Sequence, residues 1–233
     1  MVGYTTIFGP YDTLVDPPFS SIELICFTNQ RGLRAKYWKL INVDIPCDSI
    51  DMQIRLARRF KILPQEYLPH SDGWIWIDAN LKLKTNPARL TQFLGEHDLS
   101  TFRYPSTWGP RDCLYKEAEA CIQRRKDDPG IIRTQIARYR RKGYPENNGL
   151  VETSILIRRN TLPCRRFNEL WWEEVSQGSR RDQISFPYVA WSLGFKYDII
   201  PGCRTDNEFS IWEPHQQYVY DDSFDQHNRI SKG

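Results

Sequence analysis

Histidine and methionine are scarce in this sequence, with four and two residues among 233. His70, His97 and His227 show no ligand spacing, and His215 stands alone near the C-terminus, so the clustered imidazoles of a zinc hydrolase are missing. No two of the six cysteines (Cys26, Cys47, Cys113, Cys121, Cys164 and Cys203) form Cys-x-x-Cys, and the closest pair is eight apart. That spacing argues against a zinc ribbon or a thioredoxin-type site. Long apolar runs are also missing: Trp74–Ile77 and Ser154–Ile157 fall far short of the roughly 20 residues that a membrane helix needs. The opening MVGYTTIFGPYDTL lacks the basic and apolar regions of a secretory leader. A cytoplasmic chain with reduced core thiols is the expectation. G-x-G-x-x-G, G-x-x-x-x-G-K-[ST] and G-x-S-x-G are all absent, which disfavours a dinucleotide enzyme, a P-loop NTPase and a serine hydrolase.

What is present suits a folded domain. Hydrophobic residues make up 40% and aromatics 13%, enough for a core, so a wholly disordered chain is excluded. The length suits one large domain. The net charge of +3 is uneven: residues 103–148 carry eleven Lys/Arg against six Asp/Glu, a net of +5, leaving −2 elsewhere. Arg124, Arg125, Lys126, Arg133, Arg138, Arg140, Arg141 and Lys142 are the densest part. That stretch reads either as a face for a polyanion, nucleic acid included, or as a solvated helical hairpin.

Periodicity predicts strands over 4–9, 22–28, 38–43, 74–77, 151–158 and 196–201. It predicts helices over 49–63, from Thr85-Asn86-Pro87 to Gly95, and over 111–127, 131–142, 167–176 and 182–193. This order implies an α/β fold, a mostly parallel sheet covered by helices on both faces. Ligands bind such sheets beyond the carboxyl ends of the strands. Residues 1–204 are expected to form the domain, and 205–233 a polar tail that could close over the site.

Four places in the sequence carry chemistry. Asp78 and Asn80 end the apolar strand at 74–77, and strand alternation would put both on one side. Their oxygens suit Mg²⁺ or Mn²⁺; the competing reading is an Asp that stabilises a turn. Arg55, Arg58 and Lys61 lie on one predicted helix, with Arg55 and Arg58 at a spacing that suits phosphate or a solvent face. Ser179 and Asp182 have capping-box spacing, while Asp182 could instead meet a sugar hydroxyl or act as a base. Glu152 opens a strand and could bind an acceptor hydroxyl or face solvent, and His215 could join Asp78 and Asn80 around a metal.

Seven short motifs occur in order: Tyr11-Asp12; Cys26-Phe27-Thr28; Arg55-x-Ala57-Arg58-x-x-Lys61-Ile62-Leu63; Trp76-Ile77-Asp78-x-Asn80; Arg111-Asp112-Cys113-x-Tyr115-x-Glu117-Ala118; Gly149-Leu150-x-Glu152; and Arg181-Asp182-Gln183-x-Ser185-Phe186. Together they resemble the glycosyltransferase-like family of the plant turgor-regulation-defect and mucilage-related proteins and their bacterial and viral relatives. The resemblance spans roughly 11–193. It implies a single GT-A-like, Rossmann-like sandwich that binds a nucleotide sugar through a metal at an Asp-x-Asp motif, where Asp78 and Asn80 stand here. Asn80 departs from that motif, because a neutral amide binds a cation less tightly.

The implied donor is a nucleotide sugar, with UDP-sugars foremost, and the acceptor is a glycan or other hydroxyl compound. Tyr11, Asp12, Thr28, Arg55, Arg58, Lys61, Asp78 and Gln183 would bind the donor. Asp78, Asn80 and His215 would hold the divalent cation, Mn²⁺ or Mg²⁺. Asp182 and Glu152 would be catalytic. Two other functions stay open: transfer to modified nucleic-acid bases, with 124–142 tracking phosphates, and an inactive nucleotide-sugar-binding module.

Overall fold

A strand that is apolar at every position needs cover on both faces. The computed structural model describes residues 1–10, 14–105 and 111–213. Among these residues the strands are β1 (Val2–Ile7), β2 (Leu24–Thr28), β3 (Trp38–Asn42), β4 (Gly73–Ile77), β5 (Leu81–Leu83), β6 (Leu99–Arg103), β7 (Val151–Arg159), β8 (Asp198–Ile200) and β9 (Ser210–Trp212). Seven form one sheet in the order β3-β2-β1-β4-β7-β6-β8, and β5 pairs with β9 in a separate antiparallel ribbon. β7 runs antiparallel to β4 and β6, while every other pairing in the large sheet is parallel. The expected α/β class with a mixed, mostly parallel sheet is what the chain adopts.

The α-helices are α1 (Ile50–Ile62), α2 (Pro64–Tyr67), α3 (Leu114–Gln123), α4 (Pro129–Arg141), α5 (Leu162–Gln177) and α6 (Asp182–Leu193). Ser49, Asp128 and Thr161 cap α1, α4 and α5 through their side-chain oxygens. The segment after Asn86 is a 3-10 helix, Pro87–Phe93, and ends before Gly95. Residues 111–113 precede α3 instead of opening it.

Helices were expected on both faces of the sheet, and here the structure differs. Trp74 and Trp76 share a core with residues of α1, α3, α4, α5 and α6. Ile75 and Ile77 face a second core, made with Leu81 and Leu83 of β5, Leu90 of the 3-10 helix and Phe209. Among the described residues the parallel connections β1–β2 and β2–β3 contain no helix. Leu14, Ile22, Leu33 and Tyr37 of those loops pack on this second core, so no α-helix is needed there.

All six cysteines are buried and unpaired. No helix among the described residues is long and apolar enough to cross a membrane. β9 builds part of the expected tail into the fold, and residues 214–233 lie outside the described residues.

Candidate active site

β7 is the strand that assembles the site. Because it runs antiparallel, its first residues lie beside the last residues of β4: Ile77 pairs with Ile155, and Asp78 N donates to Ser154 O at 2.8 Å. A large bulge follows in the pairing with β6. Thr101 is opposite Leu156, but the next residue, Phe102, is opposite Glu152. Thr101 Oγ1 bridges the gap, 3.0 Å from Glu152 O and 2.8 Å from Ile155 O. Bulges re-aim side chains next to sites, and here the stretch without a β6 partner begins at Thr153, directly after Glu152.

Two helix ends converge on the same edge. Lys61 lies in the last turn of α1, and Asp182 is the first residue of α6, where the helix N-terminus favours a carboxylate. Lys61 Nζ is 2.8 Å from Asp182 Oδ2, 3.0 Å from Thr153 Oγ1 and 3.7 Å from Asp78 Oδ1. Thr153 Oγ1 also lies 3.0 Å from Asp182 Oδ2. Arg58 Nε reaches Asp182 Oδ1 at 3.4 Å. Lys61 and Asp182 are both 2% exposed, so their charges are held almost without water.

The end of α1 is itself anchored. Arg158, fully buried on β7, donates to Lys61 O at 2.6 Å, Ile62 O at 3.2 Å, Asn168 Oδ1 at 2.9 Å and the Tyr4 hydroxyl. Tyr4 in turn donates to Lys61 O at 2.7 Å. Carbonyls that the helix terminus leaves open are thereby satisfied.

The two carboxylates are tuned in opposite directions. Burial pushes Asp182 up, but Arg58, Lys61 and Arg181 together outweigh it and hold the carboxyl well below its usual range. Burial pushes Glu152 up to about 7, and the charge of Asp78 adds to it against Arg204, Ser154 and Lys61. Ser154 donates to Glu152 from Oγ at 2.6 Å and from N at 3.1 Å, and Arg204 Nη1 is 3.9 Å away.

Asp78 and Asn80 are neighbours through a turn, not through strand alternation. β4 ends at Ile77, and Leu81 N donates to Asp78 O at 2.9 Å. Asp78 Oδ1 accepts from Trp76 Nε1 at 2.7 Å. Asn80 Nδ2 donates to Glu213 O and Glu213 N to Asn80 O, both at 2.9 Å, which ties the turn to the end of β9. One carboxylate and one amide oxygen on a single turn fit Mg²⁺ or Mn²⁺ of the kind completed by substrate phosphates. Among the described residues no group of three His, Cys, Asp or Glu forms a protein-only site.

Other expected residues sit elsewhere. Arg55 is not brought into the cluster: it pairs with Asp51 at 3.0 Å and donates to the α5 terminus at Val175 O (3.0 Å) and Gly178 O (3.2 Å). Gln183 donates to Val151 O at 3.0 Å. Thr28 Oγ1 accepts from Gln30 N at 3.0 Å and shapes the turn after β2, beside Gly9 N donating to Asn29 Oδ1 at 2.8 Å. Tyr11, Asp12 and His215 lie outside the described residues. The capping box does not form: Ser179 Oγ donates to Asp127 Oδ2 at 2.7 Å, and no side chain caps α6. Burial among cations claims Asp182 instead.

In the basic hairpin, Arg138 is held by two 2.6 Å bonds to Glu174, and Arg140 pairs with Glu146 at 3.2 Å. Arg124, Arg125, Lys126, Arg133, Arg141 and Lys142 are exposed. Thr153, Arg158 and Arg204 were not foreseen as members of the site. For Thr153 the position after Glu152 was a usable signal, whereas Arg204 is placed by a turn that only the β5–β9 pairing reveals.

Residues 25–211 match the family described as TOD1/MUCI70, glycosyltransferase-like domain. The chain belongs to that family. A curated member from Arabidopsis thaliana, "Probable hexosyltransferase MUCI70", is 28% identical over 137 residues, which cover 55% of this chain. The matched region spans only 23% of that relative's length. Among solved structures, apo mouse xyloside xylosyltransferase 1 is similar at 12% identity and a TM-score of 0.46, over 85% of this chain and 83% of that one. Six of the seven motifs that carried the resemblance lie within the matched region, with the Asp78-x-Asn80 turn, Glu152 and Asp182 among them, and Tyr11-Asp12 precedes it.

Proposed function

We propose that the protein transfers a hexose or related sugar from a nucleoside-diphosphate sugar, a UDP-sugar foremost, to a hydroxyl of an acceptor. The observation that carries this reading is that, in a chain of this glycosyltransferase-like family, Asp78, Lys61, Asp182 and Glu152 are gathered on one sheet edge; the two carboxylates Asp182 and Glu152 are tuned in opposite directions. Environments that drive two acids apart in pKa separate their roles. Asp182 stays ionised and is too weak a base at neutral pH; it positions Lys61 and Arg58. Glu152, poised near 7, is the group suited to take a proton.

In this mechanism the donor diphosphate lies beyond β4, beside the Asp78-x-Asn80 turn. Lys61 and Arg58 supply positive charge where the diphosphate gains negative charge. Asp78 and Asn80 are the residues that would hold Mg²⁺ or Mn²⁺, which supplies charge neutralisation of the leaving phosphates. The acceptor oxygen bonds to the anomeric carbon as the bond from that carbon to the phosphate oxygen breaks. The electron pair leaves with the nucleoside diphosphate, and the hydroxyl proton passes to Glu152.

A thermal-shift panel of nucleotide sugars, with and without Mn²⁺, tests the donor site. A nucleotide at 100 times its dissociation constant adds roughly 2.7 kcal/mol to the folded state. One nucleotide should raise Tm in a metal-dependent way, and Asp78→Ala should abolish the shift. If no nucleotide moves Tm in the unaltered protein, the transferase reading is wrong.

A further inference from the structure

A concave site lies beside the cluster just described. It is an open cavity of about 250 Å³, lined by Lys84, Thr205, Asp206, Asn207, Ser210 and Trp212, among others. The lining combines an aromatic side chain with hydroxyl, amide and charged groups. That mixture suits a ligand with one apolar C–H face and many hydroxyls.

The cavity wall is pre-formed. Cys203 and Asp206 exchange backbone bonds of 2.9 and 3.0 Å, closing a tight turn. Asn207 Nδ2 donates to Cys203 O at 2.7 Å, while its Oδ1 accepts from Phe209 N, Ser210 N and Ser210 Oγ at 3.1, 2.7 and 3.0 Å. Lys84 Nζ donates to Asn207 O at 3.0 Å, fixing β5 against this turn. Among the described residues the buried indole Nε1 of Trp212 has no hydrogen-bond partner, an arrangement that normally costs free energy.

Arg204 joins the cavity to the reaction site. Its guanidinium is 3.9 Å from Glu152 Oε1 and lies over the Trp212 ring, 5.1 Å from the centroid. Glu213, next to Trp212, is bonded to Asn80 at both its N and O. A molecule held against Trp212 therefore lies one side chain away from the proposed base.

We infer that this cavity binds one sugar residue of a glycan acceptor, which narrows the acceptor class to carbohydrate. The inference rests on the transferase reading for its role as an acceptor subsite. The part of Trp212 left open by Arg204 and by the second core supplies an apolar contact to the sugar's C–H groups, and Asp206, Thr205 and Lys84 supply hydrogen bonds to its hydroxyls.

Saturation-transfer NMR with lactose, cellobiose and xylobiose tests it, beside a nucleotide-sugar titration of the same samples. The unaltered protein should saturate at least one disaccharide, and Asp206→Ala and Lys84→Ala should each weaken that binding about tenfold. Both variants should bind the nucleotide sugar as before. The disaccharide should also shift one indole N–H resonance, identified by its loss in Trp212→Phe. Donor binding with no disaccharide binding, or with equal binding in both variants, overturns the subsite. Disaccharide binding through these residues with no nucleotide binding supports the subsite and overturns the transferase reading instead.

Discussion

Replacing Glu152 by glutamine removes a charge that the fold holds at a cost. Burial raises this carboxyl from 4.5 to about 7. Between those values the folded protein binds more protons at Glu152 than the unfolded chain does, so stability falls as pH rises through the window. The contribution is complete below about 4.5 and lost above about 7. At 1.36 kcal/mol per pKa unit, the ionised carboxylate is disfavoured in the fold by about 3 kcal/mol at pH 8. Glutamine has the same shape and no charge. Its oxygen can still accept from Ser154 N, and the Ser154 hydroxyl can rotate to accept from its amide. Other titrating groups act equally in both proteins and cancel in the difference. Asp182 does not enter, because its carboxyl is held below its usual range and is ionised in both states throughout the window. Glu152→Gln should therefore gain about 3 kcal/mol on the unaltered protein between pH 4.5 and pH 8. At this chain length that is roughly 6–12 °C in Tm. Differential scanning fluorimetry of both proteins from pH 4.5 to 8.5, backed by guanidinium titrations at the two ends, measures it. Parallel Tm curves would show that Glu152 is not held protonated by burial, and its role as the base would fall with them. In the proposed mechanism the same variant loses sugar transfer while keeping nucleotide-sugar binding.

Further outcomes follow from the same contacts. Lys61→Met leaves Asp182 buried with only Arg58 and Arg181 to offset its charge, so guanidinium denaturation should show a loss of about 3–5 kcal/mol. Adding Asp182→Asn should recover part of that loss, and strictly additive losses would contradict the coupling of the pair. Arg158→Met strips hydrogen bonds from Lys61 O, Ile62 O and Asn168 Oδ1. It should cost about 3 kcal/mol and speed amide exchange in the last turn of α1; unchanged protection there would mean that Arg158 does not anchor the helix end. Gly202 has φ +83°, and a Cβ there would lie 2.4 Å from Asp206 O. Gly202→Ala should lower Tm by an amount corresponding to about 1–3 kcal/mol and weaken disaccharide binding; a variant with wild-type Tm would argue against the turn.

Much of the fold was legible along the chain. Trp74–Ile77 is apolar at every position, and only a central strand with two covered faces accommodates that. Asp182–Leu193 was bounded correctly because Gly194, at φ +61°, ends the helix in a left-handed turn. Local composition and period carry such features. β5, β6 and β9 carry no such signal, because short strands of mixed polarity have no period of their own; partners far along the chain define them. The loops covering the second face were also unreadable, since their apolar residues are scattered and become cover only when folded back.

For the site, the sequence by itself determined which chemistry was on hand: Asp78 and Asn80 after a buried strand, Arg58 and Lys61 one turn apart on a helix, and Glu152 and Asp182 at element starts. Tertiary structure decided the roles. Arg55 and Arg58 are three residues apart, yet one caps the end of α5 and the other meets Asp182. Glu152 and Asp182 are chemically alike in an unfolded chain. A bulge that buries one beside Asp78, and a helix end that sets the other between two cations, separate them, because pKa depends on surrounding charge and water, which sequence order does not specify.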